Sequence, residues 1–256
     1  MNEILNVEGD TEFMELFILL LVFLLLLLVL IGTALIVSII ILVVVKMHFY
    51  QQVGPTCGFF ALVYAISRIE RIKKKKVVRE IIIDYVKNKK SNVGEIFDIY
   101  IMKEILDEYF LSVEANVVNI DGIESLDKYL ENYYVIYPCN PSGTPHYYFV
   151  ERYTKFHYVY CHNYFFFKRK MKKEDLFQQH IELEKVPVYR WNDYYQGKAS
   201  IIEKINLWYN DSIKFFADPK LYLFLRKIRK ERKEELYDKK TEVDMYGKIL
   251  VIKKQN

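Results

Sequence analysis

The sequence contains little cysteine, and its three cysteines form no Cys-x-x-Cys pair. Because Cys57, Cys139 and Cys161 are odd in number and widely spaced, they argue against a disulfide framework and against a zinc site. The pattern is typical of a reducing compartment. We therefore expect no metal ion and no organic cofactor.

Glycine and proline are also scarce, with 9 and 6 residues among 256. No low-complexity linker and no internal repeat interrupts the chain, of which 52% is hydrophobic. Such a composition indicates one membrane segment and one domain of ordinary size rather than several domains.

Basic residues are missing from the amino-terminal end, where five acidic residues lie within the first 16 positions and the first basic residue is Lys46. Residues 17–45 form an apolar run without charge, proline or amide. As a helix its 29 positions reach roughly 43 Å, more than a bilayer core of about 30 Å requires and too little for two spans. The run predicts one transmembrane helix, and the missing basic flank argues against a cleaved signal peptide.

The charge distribution predicts how this helix is oriented. All 37 Lys and Arg residues but only 28 of the 33 Asp and Glu residues lie beyond position 45, which gives that part a formal charge of +9. By the positive-inside rule the carboxy-terminal domain faces the cytosol, and its charge attracts it to the lipid bilayer. We predict a single-pass membrane protein. No recognition motif accompanies Lys73–Lys76, so no nucleic-acid partner is expected.

The most informative stretch is residues 51–62, QQVGPTCGFFAL, in which a cysteine opens an amphipathic helix. Free N–H groups and the helix dipole stabilise a thiolate at such a position, where the pKa of a cysteine can fall to roughly 3.5–7.5. Gly54-Pro55 turns the chain before the helix, and Gly58 is expected to leave room for a substrate backbone. A glutamine upstream supplies an amide donor suited to an oxyanion.

Gln52-x-Gly-Pro-Thr-Cys57-Gly-x-x-Ala-Leu resembles the nucleophile motif of papain-like cysteine peptidases, in particular the branch of bacteriocin-leader-processing peptidases and the actin maturation protease. The resemblance, over about residues 50–170, implies that Cys57 is the nucleophile. In these peptidases a histidine at a strand start is followed about 17 residues later by Asp or Asn, as are His146 and Asn163 here. Gln52 fits the Gln-x-Gly-Pro pattern, whereas Gln51 has the papain-like separation from the cysteine, so both are candidate oxyanion donors.

Hydrophobic periodicity predicts helices first and an antiparallel sheet afterwards, which is the order of an α+β domain and also of papain-like folds. Helices are predicted at 57–72, 77–86, 94–110 with Asn92 as cap, 123–132 and 221–237; strands at 112–120, 133–137, 146–153, 156–163 and near the carboxy terminus. The predicted parts of the chain are an acidic flank (1–16), a transmembrane helix (17–45), a papain-like domain (46–186) and an aromatic and basic extension (187–256).

The position of Asn163 relative to His146 depends on the hairpin that contains both residues. A two-residue turn at Thr154-Lys155 would pair positions whose numbers sum to 309, which places Asn163 opposite His146, where it could orient the imidazole. A one-residue slip would put His162 there instead. The remaining histidines have no predicted role in the site: His48, His157 and His180.

The sequence thus predicts a membrane-anchored cysteine peptidase with Cys57, His146 and Asn163 as catalytic residues and a peptide or protein as substrate. Two alternatives use the same residues differently. A catalytically inactive scaffold would keep the fold without the reaction, and an acyl transferase, similar to phytochelatin synthases, would let an amine attack the acyl-enzyme.

Overall fold

The structure is a computed structural model that describes residues 7–47, 55–70, 74–141, 143–161, 168–192 and 218–254. The chain divides into two compact units, residues 1–47 and 48–256. The first contains a single helix, and the second contains all the other elements described below.

Helix α1 runs from Val7 to Met47. Its segment Met14–Ser38, 25 residues with a mean hydropathy of 3.3, is the one part of the described chain that is long and apolar enough to cross a membrane. The hydroxyls of Thr33 and Ser38 donate to carbonyl oxygens one turn earlier, at 2.9 and 2.8 Å. Both hydroxyls are therefore hydrogen-bonded within the helix.

The second unit contains seven described helices and eight described strands. The helices are α2 Cys57–Ile69, α3 Lys74–Lys87, α4 Ile99–Tyr109, α5 Ile123–Asn132, α6 Lys173–Ile181, α7 Pro219–Glu231 and α8 Lys233–Tyr237. The strands are β1 Ala115–Asn119, β2 Tyr133–Cys139, β3 His146–Tyr153, β4 His157–Cys161, β5 Lys168–Lys172, β6 Val188–Arg190, β7 Lys240–Glu242 and β8 Lys248–Lys253. This mixture of helices and antiparallel strands confirms the predicted α+β class.

Six strands form one antiparallel sheet in the order β1-β8-β2-β3-β4-β5, and β6 and β7 form a separate pair. Strand β8 pairs with β1 on one side and with β2 on the other, so that Val251 lies between Asn116 and Val135. Strand β8 is therefore inside the sheet, between two other strands. Strand β8 thus belongs to the same sheet as the strands between residues 115 and 172, while the predicted division after residue 186 stays a prediction.

The sheet separates two apolar clusters. Ile136 of β2 packs on one face, with residues of α2, α3, α4 and α7. Its neighbours Val135 and Tyr137 pack on the other face, with residues of α5 and α6. Alternating side chains of one strand thus serve both layers, which explains why β2 is apolar along its length.

Helix α4 starts later than predicted. The side chain of Asp98 accepts the N–H of Tyr100 at 2.7 Å and caps the helix, which begins at Ile99. The predicted start at Gly94 with Asn92 as cap is therefore wrong. An aspartate is as good a cap as an asparagine, so side-chain chemistry alone did not distinguish the two positions.

The β3–β4 hairpin also differs from its prediction. Tyr153 pairs with Tyr158, so the turn contains four residues instead of two, and a bulge in β3 shifts the register further along. The N–H of Thr154 donates to the carbonyl of His157 at 2.7 Å and closes the turn. The predicted register is wrong in this part of the hairpin, because Thr-Lys lacks the residues that a two-residue turn favours.

Candidate functional site

The candidate nucleophile, Cys57, is the first residue of α2 and is only 7% exposed. Backbone groups of Tyr147, Gly58 and Cys57 itself hydrogen-bond its sulfur. The side chain of the preceding Thr56 does not cap the helix, and the first turn contains no acidic residue. The sulfur is therefore hydrogen-bonded at a helix start that has no side-chain cap.

Burial nevertheless raises the pKa of Cys57 from 9.0 to about 11. The three backbone hydrogen bonds lower the pKa, but they do not compensate for the loss of water around the thiolate. The lowered pKa expected for a cysteine at a helix start is therefore not found. In this arrangement the thiol is protonated at neutral pH.

His146 is the first residue of β3 and is half-buried. It pairs across the sheet with Cys139 of β2, whose thiol donates to the His146 carbonyl at 3.6 Å. The His146 ring lies 5.1 Å from the ring of Tyr148. The backbone of the next residue, Tyr147, hydrogen-bonds the sulfur of Cys57, so the fold brings the start of α2 and the start of β3 together. Tyr148, beside the His146 ring, packs in the apolar cluster on the other face of the sheet from Cys57.

Tyr147 contributes a backbone hydrogen bond to this site and was not singled out in the sequence. It is fully buried in the same cluster as Cys57. Burial raises its pKa well above the ordinary value, and negative charge at Cys57, Asp98 or Asp244 raises it further. The phenol therefore stays neutral. Its position directly after His146 was the only available signal.

The first turn of α2 rests on a loop of residues 91–96. Gly94 has a φ of +100°, and a Cβ there would lie 2.6 Å from the Thr56 methyl carbon. On the other side of Cys57, a Cβ at Gly58 would lie 3.0 Å from Ile96. Gly58 thus contacts the interior of the protein, and the expectation that it leaves room for a substrate is wrong.

A buried carboxylate holds this loop together. Glu95 accepts the N–H groups of Asn92 and Val93 at 2.8 and 2.7 Å, and the hydroxyl of Ser91 at 3.1 Å. These are backbone and side-chain donors that have no helix or strand partner. Satisfying them fixes the shape of the loop that supports Cys57.

The loop is also fastened to the carboxy-terminal part of the chain. Arg232, between α7 and α8, donates to the carbonyl oxygens of Asn92 at 2.6 Å, Val86 at 3.0 Å and Ser91 at 3.3 Å. One guanidinium therefore joins the end of α3, the 91–96 loop and α7. Residues far along the chain thus help to position the candidate nucleophile.

A cavity of about 730 Å³ opens beside the loop that precedes His146. Gly143 and Thr144 line one side of it, and residues 185–190, which include β6, line the other. Lys185 in this lining is paired with Glu182 at 2.7 Å. The volume is within the range of ligand-binding clefts, and its position makes it the candidate substrate groove.

His180, for which the sequence offered no partner, has two. Its Nδ1 lies 2.8 Å from the Pro138 carbonyl, and the N–H of Gly247 donates to its Nε2 at 3.0 Å. The ring is therefore neutral with its proton on Nδ1. Burial lowers the pKa of His180. This histidine joins α6 to the end of β2 and to the turn before β8, which is a structural role.

The remaining candidates have different outcomes. Cys139 and Cys161 are buried free thiols whose pKa values burial raises. Within the described residues, no group of three or more His, Cys, Asp or Glu side chains could hold a metal ion. The other predicted residues lie outside the described part of the chain: Gln51, Gln52, Asn163, His48 and His162.

Comparison with protein families gives one match. The model of the actin maturation protease-like C-terminal domain matches residues 47–135, which is about a third of the chain. The matched segment contains Cys57 and ends before His146. Searches of curated proteins and of solved structures gave no match. The match indicates a domain related to papain-like peptidases, and the α+β architecture is consistent with that fold.

Proposed function

We propose that this chain is a membrane-anchored cysteine peptidase that uses Cys57 as its nucleophile. The observation that carries the proposal is the hydrogen bond between the Cys57 sulfur and the backbone of Tyr147, because it joins the first residue of α2 to the residue after His146. The family match adds support at the nucleophile segment.

In the proposed reaction His146 takes the proton of the Cys57 thiol, and the sulfur attacks the carbonyl carbon of the scissile peptide bond. The C–N bond then breaks, and the imidazolium gives its proton to the leaving amine. Water, deprotonated by the same imidazole, attacks the thioester, which releases the acid and restores the thiol.

The raised pKa of Cys57 affects the first of these steps. A thiol with a pKa of about 11 is not a preformed thiolate at neutral pH. His146 therefore acts as a general base when substrate is in place. The His146 ring lies beside Tyr148, which packs on the sheet face opposite to that of Cys57. The proposed proton transfer therefore requires the imidazole to turn towards the face that carries α2.

The remaining roles follow the resemblance. Asn163 orients the imidazole, and one of the two glutamines, Gln52 or Gln51, holds the oxyanion together with the Cys57 N–H. Replacing one oxyanion donor typically lowers kcat by about 10²–10³-fold. We expect that loss in only one of the variants Gln52→Ala and Gln51→Ala, which would identify the donor.

The groove beside Gly143 and Thr144 is proposed to hold the peptide substrate. Gly143 and Thr144, which line it, lie three and two residues before His146 in the chain, and this proximity supports the proposal. Helix α1 is proposed to anchor the enzyme in a membrane, with the domain in the cytosol. Resistance to carbonate extraction and protease access from the cytosolic side would test this arrangement.

A peptide carrying a thiol-reactive electrophile tests the site directly. In the full-length chain we expect it to label Cys57 at least tenfold faster than Cys139 and Cys161, as measured by peptide mass spectrometry. The His146→Ala variant should lower the rate of Cys57 labelling and of turnover of a fluorogenic peptide library by about 10²–10⁴-fold. Cys57→Ala should abolish turnover while the folded domain is retained.

Equal and slow labelling of all three cysteines would contradict the peptidase proposal. It would favour the second candidate, an inactive scaffold, which the burial and raised pKa of Cys57 also support.

Adding an amine acceptor to the turnover assay separates hydrolysis from acyl transfer, because only a transferase forms the amide of the acceptor.

A further inference from the structure

Helix α7 has a buried side and an exposed side. Leu221, Tyr222 and Leu225 are buried against the domain. Leu223 points the other way and is 53% exposed. A leucine at the centre of a solvated helix face loses the stabilisation that burial would give it, so its surroundings are informative.

The exposed side chains on the same side of α7 as Leu223 are Pro219 and four cations. At roughly 100° per residue, all four cations lie within about 60° of Leu223 around the helix axis. They are Lys220, Arg226, Lys227 and Lys230. One acid, Glu231, lies at the border, 3.7 Å from Lys227. We name these five residues, Leu223 and its four cations, the basic face.

An apolar centre in a ring of cations matches the surface of an anionic bilayer. Lysine and arginine side chains bind the headgroups, and a leucine between them enters the boundary with the acyl chains. A nucleic acid would match the charges of the basic face but would offer no apolar partner to Leu223. The same chain contains α1, which is long and apolar enough to cross a membrane.

We propose that the basic face of α7 binds an anionic lipid surface. This binding holds a face of the domain at the bilayer through headgroup contacts, in addition to any anchoring by α1. It does not depend on the chemistry of Cys57, so it holds equally for a peptidase and for an inactive scaffold.

The test uses the full-length chain in lipid nanodiscs, with the photo-crosslinking amino acid p-benzoylphenylalanine in place of Leu223. One set of discs contains phosphatidylcholine only, and the other also contains phosphatidylserine. The matched control places the same amino acid at Leu111, which is 89% exposed and precedes β1. Mass spectrometry after irradiation measures the lipid adduct at each position.

We expect a lipid adduct at position 223 that is several-fold stronger in the phosphatidylserine discs, weak at high salt, and weak at position 111 in both sets of discs. Because each basic residue near an anionic surface favours binding by roughly fivefold, Lys227→Glu combined with Lys230→Glu should lower the adduct about tenfold or more. A crosslinker at Lys220 provides a second variant if the one at Leu223 does not fold.

Three results would overturn the proposal. Equal adducts in the two sets of discs would exclude recognition of anionic lipid. Equal adducts at positions 223 and 111 would exclude a specific face. Adducts to a second copy of the chain would assign the basic face to a protein contact instead.

Discussion

Two helices of the domain begin in contrasting ways. Helix α7 has a carboxylate cap, Asp218, which is buried, accepts the N–H of Leu221 at 3.1 Å and lies 3.5 Å from Arg79. Helix α2 has no side-chain cap from Thr56, and backbone groups hydrogen-bond the sulfur of Cys57 instead. A start capped by a carboxylate stabilises the fold, whereas a start that holds a sulfur can supply a nucleophile.

The contrast predicts, first, that the alkylation rate of Cys57, at the start of α2, depends unusually steeply on pH. Because the pKa of Cys57 is about 11, its thiolate fraction rises about tenfold per pH unit, so alkylation of Cys57 by iodoacetamide should increase roughly hundredfold between pH 7 and pH 9. Peptide mass spectrometry gives the rate, with the urea-unfolded chain as control, in which the increase levels off near pH 9. A plateau close to pH 7 in the folded chain would instead indicate an ion pair with His146.

The second prediction concerns the support of α2. Gly94→Ala forces a side chain into a positive-φ position and against Thr56, so it should lower the free energy of unfolding by about 3 kcal/mol. Gly143 also has a positive φ, but a Cβ there meets nothing within 4 Å. Gly143→Ala should therefore lower the free energy of unfolding by only about 1 kcal/mol. Equal losses in urea unfolding would show that the contact with Thr56 does not matter.

Removing the cap of α7 should have a smaller effect than Gly94→Ala, and it should change only the stability of the fold. Asp218→Ala removes the cap and should lower the free energy of unfolding by about 1–2 kcal/mol, whereas Asp218→Asn keeps the capping oxygen and should lower it less. Neither variant should change the alkylation rate of Cys57. A changed alkylation rate of Cys57 in the Asp218→Asn variant would mean that the two helix starts are coupled.

The smallest expected effect is the pH dependence contributed by His180. Its pKa is lowered by burial, so as the pH falls below about 6.5 the unfolded chain gains a proton that the folded chain does not, and stability is lost. Above that pH the neutral ring is favourable in both states. His180→Asn should flatten the dependence of stability on pH between 7 and 5, measured by urea unfolding. Identical slopes would contradict this role.

Local sequence patterns predicted the elements of the fold better than their connections. Helix α5 and strand β3 have the predicted limits, because turn residues and hydrophobic periodicity mark both ends. The β3–β4 register was missed, since the length of a turn and the position of a bulge depend on cross-strand packing. The place of β8 within the sheet was also missed, because its partners are distant in sequence.

The candidate site shows the same difference between residues that local patterns identify and residues that only long-range contacts bring in. Cys57 was selected from its place at a helix start and from the resemblance to papain-like peptidases, and His146 was selected from that resemblance. Tyr147, the 91–96 loop and Arg232 could not be selected, because each contributes through a long-range contact. Gln51, Gln52 and Asn163 lie outside the described residues and remain predictions.

By itself the sequence determined the apolar helix, the α+β order of elements and the residue types available for thiol chemistry, because hydrophobic periodicity and helix-start chemistry act over a few residues. Only the tertiary structure decided that Cys57 is buried against Tyr147 and that its pKa is raised instead of lowered. The reason is physical: a helix dipole is a local property, whereas desolvation depends on every segment that packs around the sulfur.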